Sequence, residues 1–296
     1  MDTLYELAEL STNGALVGLM YAPIALGMVL VFKSSGVANL AQGALAMLGG
    51  YLTWAVIVLL GTPVWVGIPV GLLAMFFVGR GIERLALRSL VGQPVIMVIM
   101  LTLGLEILLR GLAPALFGPV KKRLDIGIDT APIILGPVLI DRAYLVSGVV
   151  ALVLIGLSVL FFKTRQGVLL RAVSDDQTAS WSVGIVVERA IGVSWGLAGV
   201  AAGAAGILWG SIQGVDWTIS LLLIKGLAVA ILGGLDSIVG VLVAGVILGV
   251  LENVAPVYLE RIGISGTRDV VASLIILLTV IVKPYGLFGR EDIERV

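Results

Sequence analysis

The 296-residue sequence contains no cysteine and no histidine. Their absence excludes disulfides, thiol nucleophiles, histidine-based metal sites and imidazole acid–base catalysis. Charge is also scarce: 13% of residues are Asp, Glu, Lys or Arg, against about a quarter in an ordinary soluble domain. The charges present balance to a formal zero, and no nucleic-acid partner is expected. The dipeptide Gly-Lys never occurs, so the chain has no P-loop with which to hold ATP phosphates. HExxH and CxxC patterns are missing, and acids such as Glu106, Asp236 and Glu252 are scattered over different segments. No enzymatic activity, cofactor or metal is expected. If ATP drives this protein, another subunit must bind it.

What the sequence does have is apolar length. Hydrophobic residues make up 59% of the chain, and the mean hydropathy is +1.14. Several runs reach the roughly 18 to 20 residues that cross a hydrocarbon core as a helix. The pattern predicts an all-α integral membrane protein: one polytopic bundle of about eight or nine transmembrane helices occupying residues 1–296. The expected spans are Gly14–Phe32, Val37–Leu60, Pro63–Gly79, Pro94–Phe117, Ala143–Phe162, Ala190–Trp209, Thr218–Leu235, Ile238–Tyr258 and Asp269–Val282. Val37–Leu60 opens with Asn39 and Gln42, and Thr218–Leu235 contains Lys225 and Gly233–Gly234. Both are candidates for broken or re-entrant elements, which a membrane accepts where irregular backbone is enclosed by protein. The N-terminal stretch MDTLYELAELSTN carries no Lys or Arg. It therefore lacks the positive region of a cleavable signal peptide, and the first apolar run is expected to remain as a span.

Basic residues set the expected orientation, because cytoplasmic loops hold the excess of Lys and Arg. With the N-terminus outside, eleven basic residues fall on one side: Lys33, Arg80, Arg84, Arg88, Lys163, Arg165, Arg171, Arg189, Lys283, Arg290 and Arg295. Six fall on the other: Lys121, Lys122, Arg123, Arg142, Arg261 and Arg268. The larger group marks the cytoplasm and places the polar interruption at 163–189 there.

Within that interruption, Ser174 followed three residues later by Gln177 reads as a capping box. Asp175 and Asp176 would then occupy the first turn, where carboxylates favour the helix dipole. Gly184 supplies the stop. The expected product is a helix of roughly nine residues, too short to persist alone in water, which needs a surface to lie on.

The sixth span repeats glycine at Gly192, Gly196, Gly199, Gly203, Gly206 and Gly210, at intervals of three and four. That spacing puts all six on one helix face, where another helix can approach backbone to backbone. The strip is either a static packing seam or one that slides during transport. Gly245 and Gly249 repeat the motif once. Polar residues inside spans are expensive and are candidates for a substrate path. Glu106 and Arg110, four apart, either neutralise each other or contact substrate. Lys225 either reaches an interface or pairs with Glu252 or Asp236. Asn39 and Gln42 share a face and bond either a substrate or a neighbouring helix.

Several ordered blocks resemble one family. SSGVANLAQGALAMLGGYL (34–52), ERLALRSLVGQP (83–94), LTLGLEILLRGLAPALFG (101–118), LLRAVSDDQTASWSVGI (169–185), KGLAVAILGGLDSIVGVLVAGVILGVLE (225–252) and VKPYGLFG (282–289) are similar to LivH-type permease subunits of bacterial branched-chain amino-acid ABC importers. In that family the first block usually has His where this chain has Gln42, a departure that bears on the substrate and not on the fold. The resemblance implies an inner-membrane permease for branched-chain or other hydrophobic amino acids. It also implies a second, LivM-type permease subunit, two cytoplasmic ATPase subunits and a periplasmic substrate-binding protein. Residues 171–188 would be the segment that docks on an ATPase, with Ser174, Asp175, Asp176, Gln177, Ala179 and Gly184 as its contact positions. Two related halves, about 1–162 and 190–296, would be joined by the loop at 163–189. The alternatives are a permease of the same fold for urea, amides, small carboxylates or sugars, and a self-contained secondary transporter.

Overall fold

Lipid offers backbone groups no hydrogen-bond partner, so apolar runs of this length close their bonds internally as helices. The computed structural model of the chain describes residues 2–90, 93–128, 131–135, 138–175 and 177–289. Its helices are α1 (Asp2–Ser35), α2 (Gln42–Trp54), α3 (Val64–Ile82), α4 (Val95–Phe117), α5 (Arg142–Lys163), α6 (Arg165–Asp175), α7 (Gln177–Ser182), α8 (Val187–Gln213), α9 (Leu222–Gly233), α10 (Ile238–Arg261) and α11 (Arg268–Val282). A π-helical turn, Ala55–Leu59, extends α2, and another, Glu83–Leu87, extends α3. A 3₁₀ turn, Trp217–Leu221, leads into α9. A hairpin of β1 (Ile133–Leu135) and β2 (Val138–Ile140) lies between α4 and α5.

All nine expected spans are helical. Seven helical segments among the described residues are long and apolar enough to cross a membrane. The other two are shorter. Trp217–Gly233 is the broken element that Lys225 and the glycine pair foreshadow. Helix α11 has 15 residues, which at about 1.5 Å each gives about 22 Å.

The helix ends sort onto two faces of the bundle. At one end, Lys33 donates to the Asp236 carbonyl and lies 5.7 Å from the Phe162 ring, while Gly192 meets Glu83. At the other, Lys122 and Val215 form a β-bridge and Arg261 pairs with Glu6. These are called the Lys33 end and the Val215 end below. Helix α1 begins twelve residues before the expected Gly14 because the Val215 end holds its first turns. Asn13 Nδ2 donates to the Leu139 carbonyl at 2.8 Å, and the Leu139 amide donates to Glu9 at 3.4 Å. Tertiary partners of this kind stabilise helical turns that charge and exposure would otherwise fray.

Helices α1 and α8 form the centre, with 78% and 83% of their apolar windows buried. Helix α1 packs chiefly on α10 and α8; α8 packs chiefly on α2, α3 and α1. Glycine makes these approaches possible. A Cβ on Gly18 would stand 2.0 Å from the Gly245 carbonyl oxygen, and one on Gly249 would stand 2.2 Å from that of Gly14. The pair Gly245 and Gly249 thus meets a matching pair on α1. The strip on α8 divides between two neighbours: Gly196 and Gly199 abut Phe76 and Met75 of α3, whereas Gly206 lies against the Ala46 carbonyl of α2. Gly203 touches both helices. Gly104 and Gly156 have nothing in reach of a Cβ.

Leucine at Gly18 or Gly206 is therefore expected to force helices apart, at a cost of about 1–3 kcal/mol or more, and to lower the melting temperature of the detergent-extracted protein by several degrees. Leucine at Gly104 or Gly156 should leave it unchanged. Equal tolerance at all four positions would contradict the close approach of these backbones.

Candidate functional site

Three groups of polar residues stand out against the apolar bundle. The first is the segment between α5 and α8. The expected capping box is not where this segment starts its helix. Thr164 interrupts the chain after α5 in an extended conformation. Its side chain accepts from the Gly167 amide at 3.4 Å, and its carbonyl accepts from Val168 at 3.0 Å. Thr164 is thus the N-cap of α6, and Ser174 sits in the last turn of that helix, exposed to solvent. The correction has a physical cause. Gly167, Leu170 and Val173 form a buried stripe that begins a full two turns before Ser174, and burial of that stripe outweighs the local capping preference.

Asp175 lies in α6 and Gln177 in α7, and Asp176 between them lies outside the described residues. Ala179 is exposed. Gly184 ends the segment at φ +83°, with its own amide donating to Trp181 and the Ile185 amide donating to Ser180. This is the paired bonding of a Schellman stop. The segment is tied down at the Lys33 end, where Arg171 donates to the Phe162 carbonyl at 2.9 Å. Among its exposed residues are four large apolar ones, Val168, Trp181, Val183 and Val186, between 46% and 76% exposed, beside polar Arg165, Arg171, Ser174 and Asp175. Sequence reasoning missed this patch because it followed the charges; the signal was a tryptophan and two valines beside Gly184.

The second group is Asn39 and Gln42, both fully buried. Asn39 Nδ2 donates to Gln42 Oε1, and Gln42 Nε2 donates to the Ala198 carbonyl of α8, each at 3.0 Å. Gln42 also fills the space beside Gly27 of α1, where a Cβ would stand 1.7 Å from Nε2. Helix α2 consequently starts deep in the bundle, after an irregular lead-in at 36–41. These two side chains spend their bonds on the protein itself, joining three helices.

The third group comprises charged pairs within spans. Glu106 and Arg110 pair along α4, with the carboxylate buried and the guanidinium partly exposed. Thr102, Glu106, Leu109 and Ala113 form the buried face of that helix. Lys225 pairs with Glu252 of α10 at 2.7 Å, and also with Asp269 of α11 at 2.8 Å. Asp236 is far from them, at the Lys33 end. Asp269 was not among the residues singled out from sequence, because it stands at the first turn of a span, where a carboxylate needs no special reason.

Nothing in these groups is arranged for covalent chemistry. The stretch Gly192-Val193-Ser194-Trp195-Gly196 carries the letters of a GxSxG nucleophile elbow. It lies inside α8, without the strand-to-helix turn that exposes such a serine. Among the described residues, no group of three or more acids could hold a metal ion.

Comparison with known proteins places this architecture. The family model described as the permease component of branched-chain amino acid transport systems matches residues 10–282. A protein of Methanocaldococcus jannaschii named a probable branched-chain amino acid transport permease protein LivH is 31% identical over 280 residues, covering 90% of this chain and 88% of its own. BraD of Pseudomonas aeruginosa, a high-affinity branched-chain amino acid transport system permease protein, is 29% identical over the full length of both. The LivH permease protein of Escherichia coli K12 is 27% identical, with 96% of each chain covered. A match across nearly all of the bundle, from α1 to α11, makes this chain a multi-pass plasma-membrane permease that belongs to the family of branched-chain amino acid transport permease components.

Proposed function

We propose that this chain forms, beside a second permease subunit of LivM type, the membrane path of an ABC importer for branched-chain amino acids. A periplasmic binding protein delivers the substrate at the Val215 end, and two cytoplasmic ATPase subunits act at the Lys33 end. The observation that carries this reading is the segment from Thr164 to Gly184. Gly167, Leu170 and Val173 anchor it to the bundle, while Val168, Trp181 and Val183 are exposed. An apolar patch with a tryptophan is the composition of an interface anchor. The chain has no nucleotide-binding loop of its own, so energy has to enter through such a contact.

The orientation rests on charge. Lys33, Arg80, Lys163, Arg165 and Arg171 share the end that carries the exposed patch, which by the positive-inside rule is cytoplasmic. The proposed division into two related halves is supported by α2 and α9, each of which follows an irregular lead-in, at 36–41 and at 214–221. Discontinuous helices in corresponding positions are typical of transporters built from repeats.

Two measurements test the reading. Trp181→Asp combined with Val183→Asp, in the complete transporter reconstituted into vesicles, should reduce ATP-driven leucine uptake by about ten-fold or more, since an interface anchor is lost. The permease should still insert. Uptake that persists without ATP, or that is indifferent to the double change, would favour a self-contained transporter. Because the chain has no cysteine, Ser174→Cys and Ile264→Cys report sidedness directly. An impermeant maleimide applied to the outside of intact cells should label the cysteine at 264 and spare the one at 174, and the reverse pattern would overturn the orientation.

A further inference from the structure

Lys225, Glu252 and Asp269 bring charges from α9, α10 and α11 to one point. Lys225 Nζ contacts Glu252 Oε1 at 2.7 Å, Asp269 Oδ1 at 2.8 Å and the Arg268 carbonyl at 3.4 Å. The two inner side chains are 10% and 9% exposed, whereas that of Asp269 is 92% exposed. The cluster therefore runs from water at the Val215 end into the bundle. Glu252 Oε2 is buried without a hydrogen bond of ordinary geometry, and the Tyr21 phenol of α1 bonds to the same carboxylate.

Burying an ion pair costs more than packing apolar groups in its place, and ionisable residues at membrane depth are retained mainly for function. A buried ion pair that opens to the surface through the exposed carboxylate of Asp269 points to a ligand with its own charges. A lysine facing a glutamate is the complement of a small zwitterion. If the ligand's carboxylate meets Lys225 and its ammonium meets Glu252, the direct contact between the two is replaced by two contacts to the ligand, and neither buried charge is left alone. An anion alone would leave Glu252 unpartnered in a low-dielectric site, which is unfavourable, and a cation alone would leave Lys225 with only the exposed carboxylate of Asp269.

We propose that Lys225, Glu252 and Asp269 form a zwitterion-exchange site for the amino-acid substrate, an assignment that rests on the function proposed above. Asp269 draws the ammonium in from the surface, Glu252 receives it with Oε2 included, and Lys225 turns to the carboxylate. Opening the Lys225–Glu252 contact also releases one tie between α9 and α10, whose backbones still meet at Gly233 and Gly240, and so couples occupancy to movement of the short helix. Selectivity for the paired charges thus resides partly in the permease.

The test uses the complete transporter in vesicles with radiolabelled L-leucine. Absence of ATP-driven leucine uptake by the unmodified complex would overturn the proposed function, and this assignment with it. Given uptake, Lys225→Met/Glu252→Met is decisive, because it removes both charges together and leaves none stranded. The complex should assemble with a normal melting temperature yet lose leucine uptake by about ten-fold or more, as expected when ionic contacts to a ligand disappear. Near-normal uptake by this variant would overturn the exchange site and leave the permease function standing. If the double variant fails to assemble, Asp269→Asn decides, since its exposed side chain is not needed for packing. It should raise the KM for leucine several-fold while changing the maximal rate less, and an unchanged KM would overturn the proposal.

Discussion

The constraint on which the bundle depends is that lipid provides no hydrophobic incentive for helices to associate. Attraction has to come from close backbone approach and from dispersion between well-fitted surfaces. Glycine supplies both here. Gly14 and Gly18 of α1 meet Gly245 and Gly249 of α10, and the strip on α8 admits α3 on one side and α2 on the other. Because α1 and α8 carry these seams, they are enclosed by protein along most of their length. Peripheral helices such as α4 and α11 turn apolar faces outward. On α4, for example, Ile96, Met100, Leu103, Ile107 and Leu112 are exposed while Thr102, Glu106, Leu109 and Ala113 are not.

A tightly seamed centre gives the functional elements something to work against. At the Lys33 end, α6 and α7 lie across the bundle, fastened through Phe162, where Arg171 bonds the backbone and Lys33 covers the ring. Lys33 in turn holds the Asp236 carbonyl in the turn between α9 and α10. Contacts through Phe162 and Lys33 thus link α6 to the turn that follows α9, the helix that carries Lys225. At the opposite end the same short helix is tied by ion pairs to α10 and α11. The short helix is thus held by polar contacts at both ends as well as by packed backbone.

Much of this was legible in the sequence. Apolar length and scarce charge give the helix positions, and the nine expected spans are helical to within a few residues at most ends. Gly233–Gly234 mark the end of the short span, where Gly234 takes a positive φ, whereas Lys225 lies within regular helix. What the sequence hid was tertiary. The capping box at Ser174 and Gln177 is a valid local signal, but the buried stripe through Gly167, Leu170 and Val173 starts the helix earlier. Likewise, the sequence leaves Asn39 and Gln42 to bond either a substrate or a neighbouring helix, and only the packing shows Gln42 bonded to Ala198 of α8 beside Gly27 of α1. Asp269 was invisible as a partner of Lys225 because the two are 44 positions apart and only helix packing joins them.

The most direct test of the account is the structure of the assembled transporter with nucleotide bound. It should show Trp181, Val183 and Val168 buried against an ATPase subunit at the end that carries Lys33, with Asp269 facing water at the opposite end. Finding the segment from Thr164 to Gly184 turned toward lipid, or on the side from which substrate arrives, would contradict it.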